Sequence, residues 1–373
     1  SSPGKKLAIT SPKWLNFYLG PLMCNVTIDD ILRYPSAINV KKMNESKGKP
    51  IIVITYDFAS TKVKIQQRFS VYEKKAINLH SELINLSNNP ITLNRITLLG
   101  LDTQQERKTI FGKSEEQCVV YQNGGYSGSV VSLAKIPEGI SKERGEAEID
   151  QLNKTASQTI WEIYNPIDKR AFLVGYTTFE RWNGMINTEF IIGKGVVKWS
   201  VEFDGGDTLI DPGRTVLEDV IFMINEDPWK LLEDYANIVQ RKHKISVLSE
   251  PPVSWCSWYP YRLGVSEERI LANALIAAKR LKPIGLKIMQ VDLGWEKDYL
   301  PCFFEENDQF PHGLKWLAER LAKFGFNLGV WIASYSISEF HPLFKEHPDW
   351  LIKDAEGKPL SSGIWFWQPH GNI

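Results

Sequence analysis

The feature that most constrains what this chain can fold into lies between residues 252 and 335. Three short apolar runs recur there, each ending on aromatic, acidic or hydroxyl side chains. They are Pro252-Val-Ser-Trp255-Cys-Ser-Trp258-Tyr259, the run Leu286 to Val291 with Asp292-Leu-Gly-Trp295-Glu after it, and Phe326-Asn-Leu-Gly-Val-Trp331-Ile-Ala-Ser334-Tyr335. Two helical patterns separate them. The first opens on Ser266 as N-cap, with carboxylates in the first turn where the helix dipole favours negative charge. Its apolar stripe is Ile270, Ala274, Ala277, Ala278 and Leu281, closed by Lys282-Pro283-Ile-Gly285. The second carries Leu314, Leu317, Leu321 and Phe324 and stops at Gly325. Strand and helix alternating with short connections predict parallel βα units. Three of them read as the first part of a (β/α)8 TIM barrel, a fold that binds its substrates at the C-terminal ends of the strands. Asp292 stands at such an end. In isolation an Asp there more often caps the following turn; its neighbours are what give it a functional reading.

Upstream the pattern changes. Residues 1 to about 225 carry almost no helical period and instead show short alternating runs, among them Ile51 to Tyr56, Val63 to Tyr72, Ala76 to Leu86, Ile91 to Leu101 and Ala171 to Thr178. Turn clusters such as Asn88-Asn89-Pro90, Asp204-Gly205-Gly206-Asp207 and Asp211-Pro212-Gly213 punctuate them. Regular strands with such punctuation predict a large antiparallel β-sandwich. Residues 141–157, rich in Lys, Glu, Gln and Ser, read as an exposed loop of low structural content. Asp227-Pro228-Trp229 opens a helix with Asp as N-cap and Pro in the first turn, and Pro251-Pro252 sets up an extended entry to the βα region. The organisation expected is therefore a β-sandwich over residues 1–226, a linker helix over 227–250 and three βα units over 251–373. Three parallel strands alone would leave an open edge and an uncovered core. The rest of the barrel is expected from a longer chain or a second polypeptide.

Composition narrows the chemistry. Lys+Arg and Asp+Glu both number 44, so no long-range field favours nucleic acid. No run of about eighteen apolar residues is present, so no membrane-spanning helix is expected. Cys24, Cys118, Cys256 and Cys302 are scattered without metal-ligand spacing, and the six His form no metal motif. Free, packed cysteines suit a reducing compartment, and a cytoplasmic location is the expectation. No phosphate-binding glycine loop appears, and no cofactor is implied. Trp is the unusual residue: nine of the 13 fall at or after Trp229. Indole faces stack on the C–H faces of sugar rings, while sugar hydroxyls need charged partners. Trp and Asp together at strand ends therefore point to carbohydrate. Trp255 and Trp316 read as core residues, and Trp331 equally as core or wall.

The ordered motifs Trp255-Cys-Ser-Trp258-Tyr259, Gln290-Val-Asp292-Leu-Gly-Trp295, Phe310-Pro311-His-Gly313-Leu, Gly329-Val-Trp331-Ile-Ala and His347-Pro-Asp-Trp350 resemble the α-galactosidases of glycoside hydrolase family 36 and the related raffinose synthases. The resemblance implies an N-terminal β-supersandwich, a TIM barrel and a retaining α-glycosidase mechanism. It also implies that Asn123-Gly124-Gly125-Tyr126-Ser127 is a variant of a sandwich loop reaching the barrel mouth. Two departures stand out. The family's Asp-Asp pair reads here Asp292-Leu293, and its Gly-Asp-Trp reads Lys297-Asp298-Tyr299, which keeps the Asp. By the resemblance, Asp292 holds sugar hydroxyls, Trp258, Trp295 and Trp331 wall the sugar, Asp298 lies at the rim, and Tyr126 approaches from the sandwich. The nucleophile and acid/base Asp are expected beyond residue 373, and no residue here is assigned either role. Alternatives are a transglycosylase that passes the galactosyl group to another sugar, and a non-catalytic sugar-binding fragment. The expected partner is a carbohydrate; a homo-oligomer is left open.

Overall fold

The computed structural model describes residues 23–44, 50–73, 76–102, 111, 117–123, 132–135, 152–191, 195–297, 305–354 and 357–361. The chain divides into two compact units, Ser1–Ser246 and Val247–Ile373.

The first unit is an antiparallel β-sandwich. In chain order its strands are β1 (Met23–Ile28), β2 (Ile31–Arg33), β3 (Ala37–Asn44), β4 (Pro50–Phe58), β5 (Val63–Tyr72), β6 (Ala76–Asn85), β7 (Ile91–Asp102) and β8 (Val119–Gln122). There follow β9 (Ser132–Lys135), β10 (Leu152–Gln158), β11 (Ile160–Asn165), β12 (Arg170–Tyr176), β13 (Asn183–Ile191), β14 (Gly195–Ile210), β15 (Gly213–Val216) and β16 (Val220–Asn225). One sheet runs β10-β13-β14-β7-β1-β2; the other runs β3-β4-β5-β6-β16-β12-β11-β8-β9, with β15 also on β6. Alternation sets the inner faces. Cys24, Val26 and Ile28 of β1 and Val63, Ile65 and Phe69 of β5 point into one shared core, with Trp161, Trp199 and Phe203 among its largest members. Gln67, also buried there, donates from Nε2 to the Leu98 carbonyl at 2.8 Å, which offsets part of the cost of burying an amide whose Oε1 has no hydrogen-bond partner among the described residues.

Two expectations change here. Part of the stretch read as a loop over residues 141–157 is strand β10, paired along its length with β13. Its polar side chains hid a strand whose existence depends on a neighbour's ladder. The Asp204-Gly205-Gly206-Asp207 cluster is no hairpin turn either, because β14 continues through it with a register shift against β7.

Helix α1 (Pro228–His243) starts as its sequence predicts: Asp227 accepts from the Trp229 and Lys230 amides at 2.9 and 3.2 Å. Leu231, Tyr235 and Ile238 pack on Ala171, Leu173, Ile221 and Met223, the face of the second sheet turned away from the sandwich core. The helix is thus a layer of the first unit.

In the second unit β17 (Ser254–Cys256), β18 (Ile288–Val291) and β19 (Asn327–Val330) form a parallel sheet with β18 in the middle. Between them come α2 (Trp258–Tyr261), α3 (Glu267–Arg280) and α4 (Gly313–Phe324), and α5 (Pro342–Glu346) follows. Ser266 caps α3 by accepting from the Arg269 amide at 3.2 Å. Met289 and Val291 of β18 meet Ile270, Ala274 and Ala277 of α3 and Leu314, Leu317 and Leu321 of α4. Each large side chain so buried stabilises the unit by roughly 2 kcal/mol. The parallel βα arrangement is the opening of a barrel.

Candidate active site

The site is assembled where β17, β18 and β19 end. Alternation in β18 turns Met289 and Val291 toward the helices and leaves Gln290, half-buried, on the opposite face. Asp292 follows directly, and Gln290 Nε2 donates to its Oδ2 at 2.9 Å. Cys256, the register partner of Gln290, brings its Sγ to 3.3 Å from the same oxygen. Ser257, fully buried, donates its amide to the Gln290 carbonyl at 3.0 Å and accepts from the Asp292 amide on Oγ at 2.9 Å. The other carboxylate oxygen accepts from the Leu293 amide at 3.0 Å. The carboxylate is thereby fixed at the strand end while its one remaining lone pair, on Oδ1, can still accept from a ligand hydroxyl. Burial pushes the Cys256 thiol up; the Trp258 amide opposes this, and Asp292 adds to it through its hydrogen bond and its charge. Cys256 is thus a neutral thiol that orients the carboxylate.

Trp258, half-buried in the first turn of α2, and half-buried Trp331 both pack against Leu293 and Ala333. Leu293, in place of a second carboxylate, sits 5% exposed in this cluster. The residue next to Asp292 along the chain is therefore part of a hydrocarbon cluster. Trp295 lies elsewhere than expected. It is 1% exposed, packs with Val265 and Phe310 in the core, and donates from Nε1 to the Trp331 carbonyl at 3.0 Å. It braces the strand end from behind, so its assignment as a wall of the sugar site is corrected: the ring has no face left for a ligand. Asp298 and Tyr126 lie outside the described residues.

Gly294 explains the Asp-Leu-Gly order. Its φ is +119°, and a Cβ there would stand 2.9 Å from the Leu263 Cα, so only glycine lets the backbone of residue 263 pass. Glu296 was not singled out from the sequence, yet it holds this turn. Its Oε2 accepts from the Gly294 and Trp295 amides at 2.9 and 3.1 Å, while its Oε1 is buried with no hydrogen-bond partner among the described residues. Burial pushes its carboxyl up against the pull of these amides, and the charge of Asp292 adds to the rise. Further support comes from Asn307, whose Nδ2 donates to the Gly294 carbonyl at 2.9 Å. The Phe310-Pro311-His312-Gly313 motif is a clamp. His312 Nδ1 meets Glu267 Oε1 at 2.8 Å, and Glu306 Oε1 accepts from the Leu314 amide at 2.7 Å. The signal that could have revealed this layer is the set of polar residues flanking a glycine just past a strand.

Among the described residues no group of three or more His, Cys, Asp or Glu is placed to hold a metal ion, and no helix is long and apolar enough to cross a membrane.

Residues 230–363 match the Melibiase family. Alpha-galactosidase 2 of Pediococcus pentosaceus is 26% identical over 112 residues, covering 28% of this chain and 15% of the relative. An alpha-xylosidase of Emericella nidulans is 21% identical over 308 residues, 76% of this chain and 37% of the relative. Among solved structures, a family 36 α-galactosidase from Geobacillus stearothermophilus in complex with stachyose superposes with a TM-score of 0.58 at 14% identity, over 92% of this chain and 50% of that one. The likeness in fold spans nearly the whole chain. The chain spans about half the length of the solved relative and less than half of either curated one.

Proposed function

We propose that this protein serves a retaining α-glycosidase acting on α-galactosides or related oligosaccharides, a reading supported by the Melibiase match over residues 230–363 and by the likeness in fold to a family 36 α-galactosidase. The observation that carries the reading is the fixed carboxylate of Asp292, held at the end of the central strand by Gln290, Cys256 and the Leu293 amide beside half-buried Trp258 and Trp331. That arrangement positions: it holds a hydroxyl on one side and an apolar ring face on the other, and most of its value lies in orienting the glycosidic bond. Bond cleavage with retention needs two carboxyl groups roughly 5–5.5 Å apart, and no described carboxylate is assigned to that pair. A transglycosylase would use the same covalent intermediate with a sugar hydroxyl in place of water, and product analysis with an added acceptor separates the two. The thiols of Cys24 and Cys256 suit a cytoplasmic setting.

The test measures turnover of nitrophenyl α-galactoside, with the α-xyloside and α-glucoside beside it, on protein whose intact mass, well above the 42.6 kDa of this sequence, shows that the polypeptide completing the barrel is present. The α-galactoside is expected to be cleaved in preference, and Asp292→Ala to raise KM about tenfold or more, the scale of one lost charge-assisted hydrogen bond. Folded protein that turns over none of the three, or an Asp292→Ala variant with unchanged KM, refutes the assignment.

A further inference from the structure

The six-stranded sheet of the first unit carries on its outer face a feature that the strand-end site does not use. Across five strands one row of register partners reads Ala156 on β10, Asn187 on β13, Ser200 on β14, Gly100 on β7 and Met23 on β1. All but the last are small or short. At about 4.8 Å between neighbouring strands, the row is roughly 19 Å long. Longer side chains rise on both sides of it. On one side are Glu189 and Lys198, paired at 3.6 Å. On the other are Glu202 and Arg95, whose charged atoms stand 4.0 Å apart, with Asn25 near them. A bulge in β7 interrupts the ladder there: Leu98 and Leu99 are both fully buried, and the Thr97 methyl lies beside Gly100, where a Cβ would meet it at 3.1 Å. The result is a hollow of about 470 Å³, within the range of ligand sites.

We infer that this trough is a carbohydrate-binding groove for a neutral, linear oligosaccharide lying across the strands. The shape argues for an extended ligand, because the row of small residues is narrow and crosses four strands. The charges argue for a neutral one. Among the described residues that line it, two carboxylates face two cations, and those charges balance. Hydroxyl-rich rings suit what is left: the Asn25 and Asn187 amides donate and accept, the carboxylates accept, and Lys198 and Arg95 donate. Glu202 is already aligned, since the Ser200 hydroxyl donates to its Oε1 at 2.6 Å. The floor of Ala156, Ser200 and Gly100 offers no apolar anchor of the kind a hydrophobic helix needs.

The experiment titrates the chain calorimetrically with neutral cello-, manno-, malto- and galacto-oligosaccharides of one to six units. At least one series is expected to bind, with affinity rising with length until the trough is filled. Ser200→Tyr, which plants a ring in the trough, is expected to weaken that binding about tenfold or more, and Lys198→Ala about threefold. If Ser200→Tyr does not fold, judged by its thermal transition, Asn187→Ala takes its place with the same expectation. The inference is overturned if no series binds, if binding ignores length and these variants, or if Asp292→Ala alone abolishes it, which would return the ligand to the strand-end site. An outer face protected from hydrogen exchange by a protein surface, with no sugar bound, would overturn it equally.

Discussion

Glu162 offers the sharpest test of the energetics of the sandwich. It lies in β11 opposite Tyr121 and Leu173, on the face that α1 covers, and is 2% exposed. Its Oε2 finds no hydrogen-bond partner among the described residues. Burial, aided by the charge of Asp227, pushes its carboxyl up from 4.5 to about 8. In the unfolded chain the group loses its proton above the lower value, and in the folded chain it keeps the proton up to the higher one. Folding therefore takes up a proton between the two, and stability falls as pH rises through that window. Each unit is worth about 1.4 kcal/mol. Between about pH 5 and about pH 7.5 the loss is on the order of 3 kcal/mol, a large part of a typical domain's stability. Glu162→Gln keeps the shape and removes the titration. Urea unfolding followed by Trp fluorescence at both pH values reads the effect, because the cost of burying an amide cancels in the difference. The variant is expected to gain on the native chain by on the order of 3 kcal/mol over this range. An advantage that stays constant with pH would refute the reasoning.

Other predictions rest on contacts elsewhere in the chain. Gly294→Ala forces a Cβ against the Leu263 backbone at a φ of +119°; an instability of about 2–3 kcal/mol is expected, seen as a lowered unfolding midpoint of the second unit. His80 donates to Asp219 at 2.7 Å, which raises its pKa above the usual 6.5 despite opposing burial. The bond stabilises below that usual value and fades as pH rises through the folded one, so His80→Gln should lower the urea midpoint at about pH 5.5 and change it little at about pH 8.5. An equal loss at both would place the effect in packing. Lys242, which reaches the other oxygen of Asp219 at 2.5 Å, keeps that carboxylate partnered in the variant.

Much of the fold was legible because it rests on local periodicity. The strand-helix alternation from residue 252, the Ser266 and Asp227 caps and the alternating apolar runs of the sandwich need only neighbours along the chain. Strand β10 was not legible, since Leu152–Gln158 is polar and becomes a strand only by pairing with β13. The site divides in the same way. Asp292 could be singled out because a carboxylate ending an apolar run is anomalous in itself. The direction of each indole could not: Trp258, Trp295 and Trp331 carry the same local signal, and only packing sends Trp295 into the core while the other two line Leu293.

By itself the sequence determined the layering, antiparallel sandwich then parallel βα units, and the placing of an acid and aromatics at strand ends. These follow from the two- and 3.6-residue periods that every strand and helix obeys. Tertiary structure decided what those residues do. Register set Cys256 beside Gln290 and both against Asp292. It also drew Ala156, Asn187, Ser200, Gly100 and Met23, far apart along the chain, into one trough. Neither juxtaposition has a local cause, because strand pairing is a choice among distant partners that the whole core makes at once.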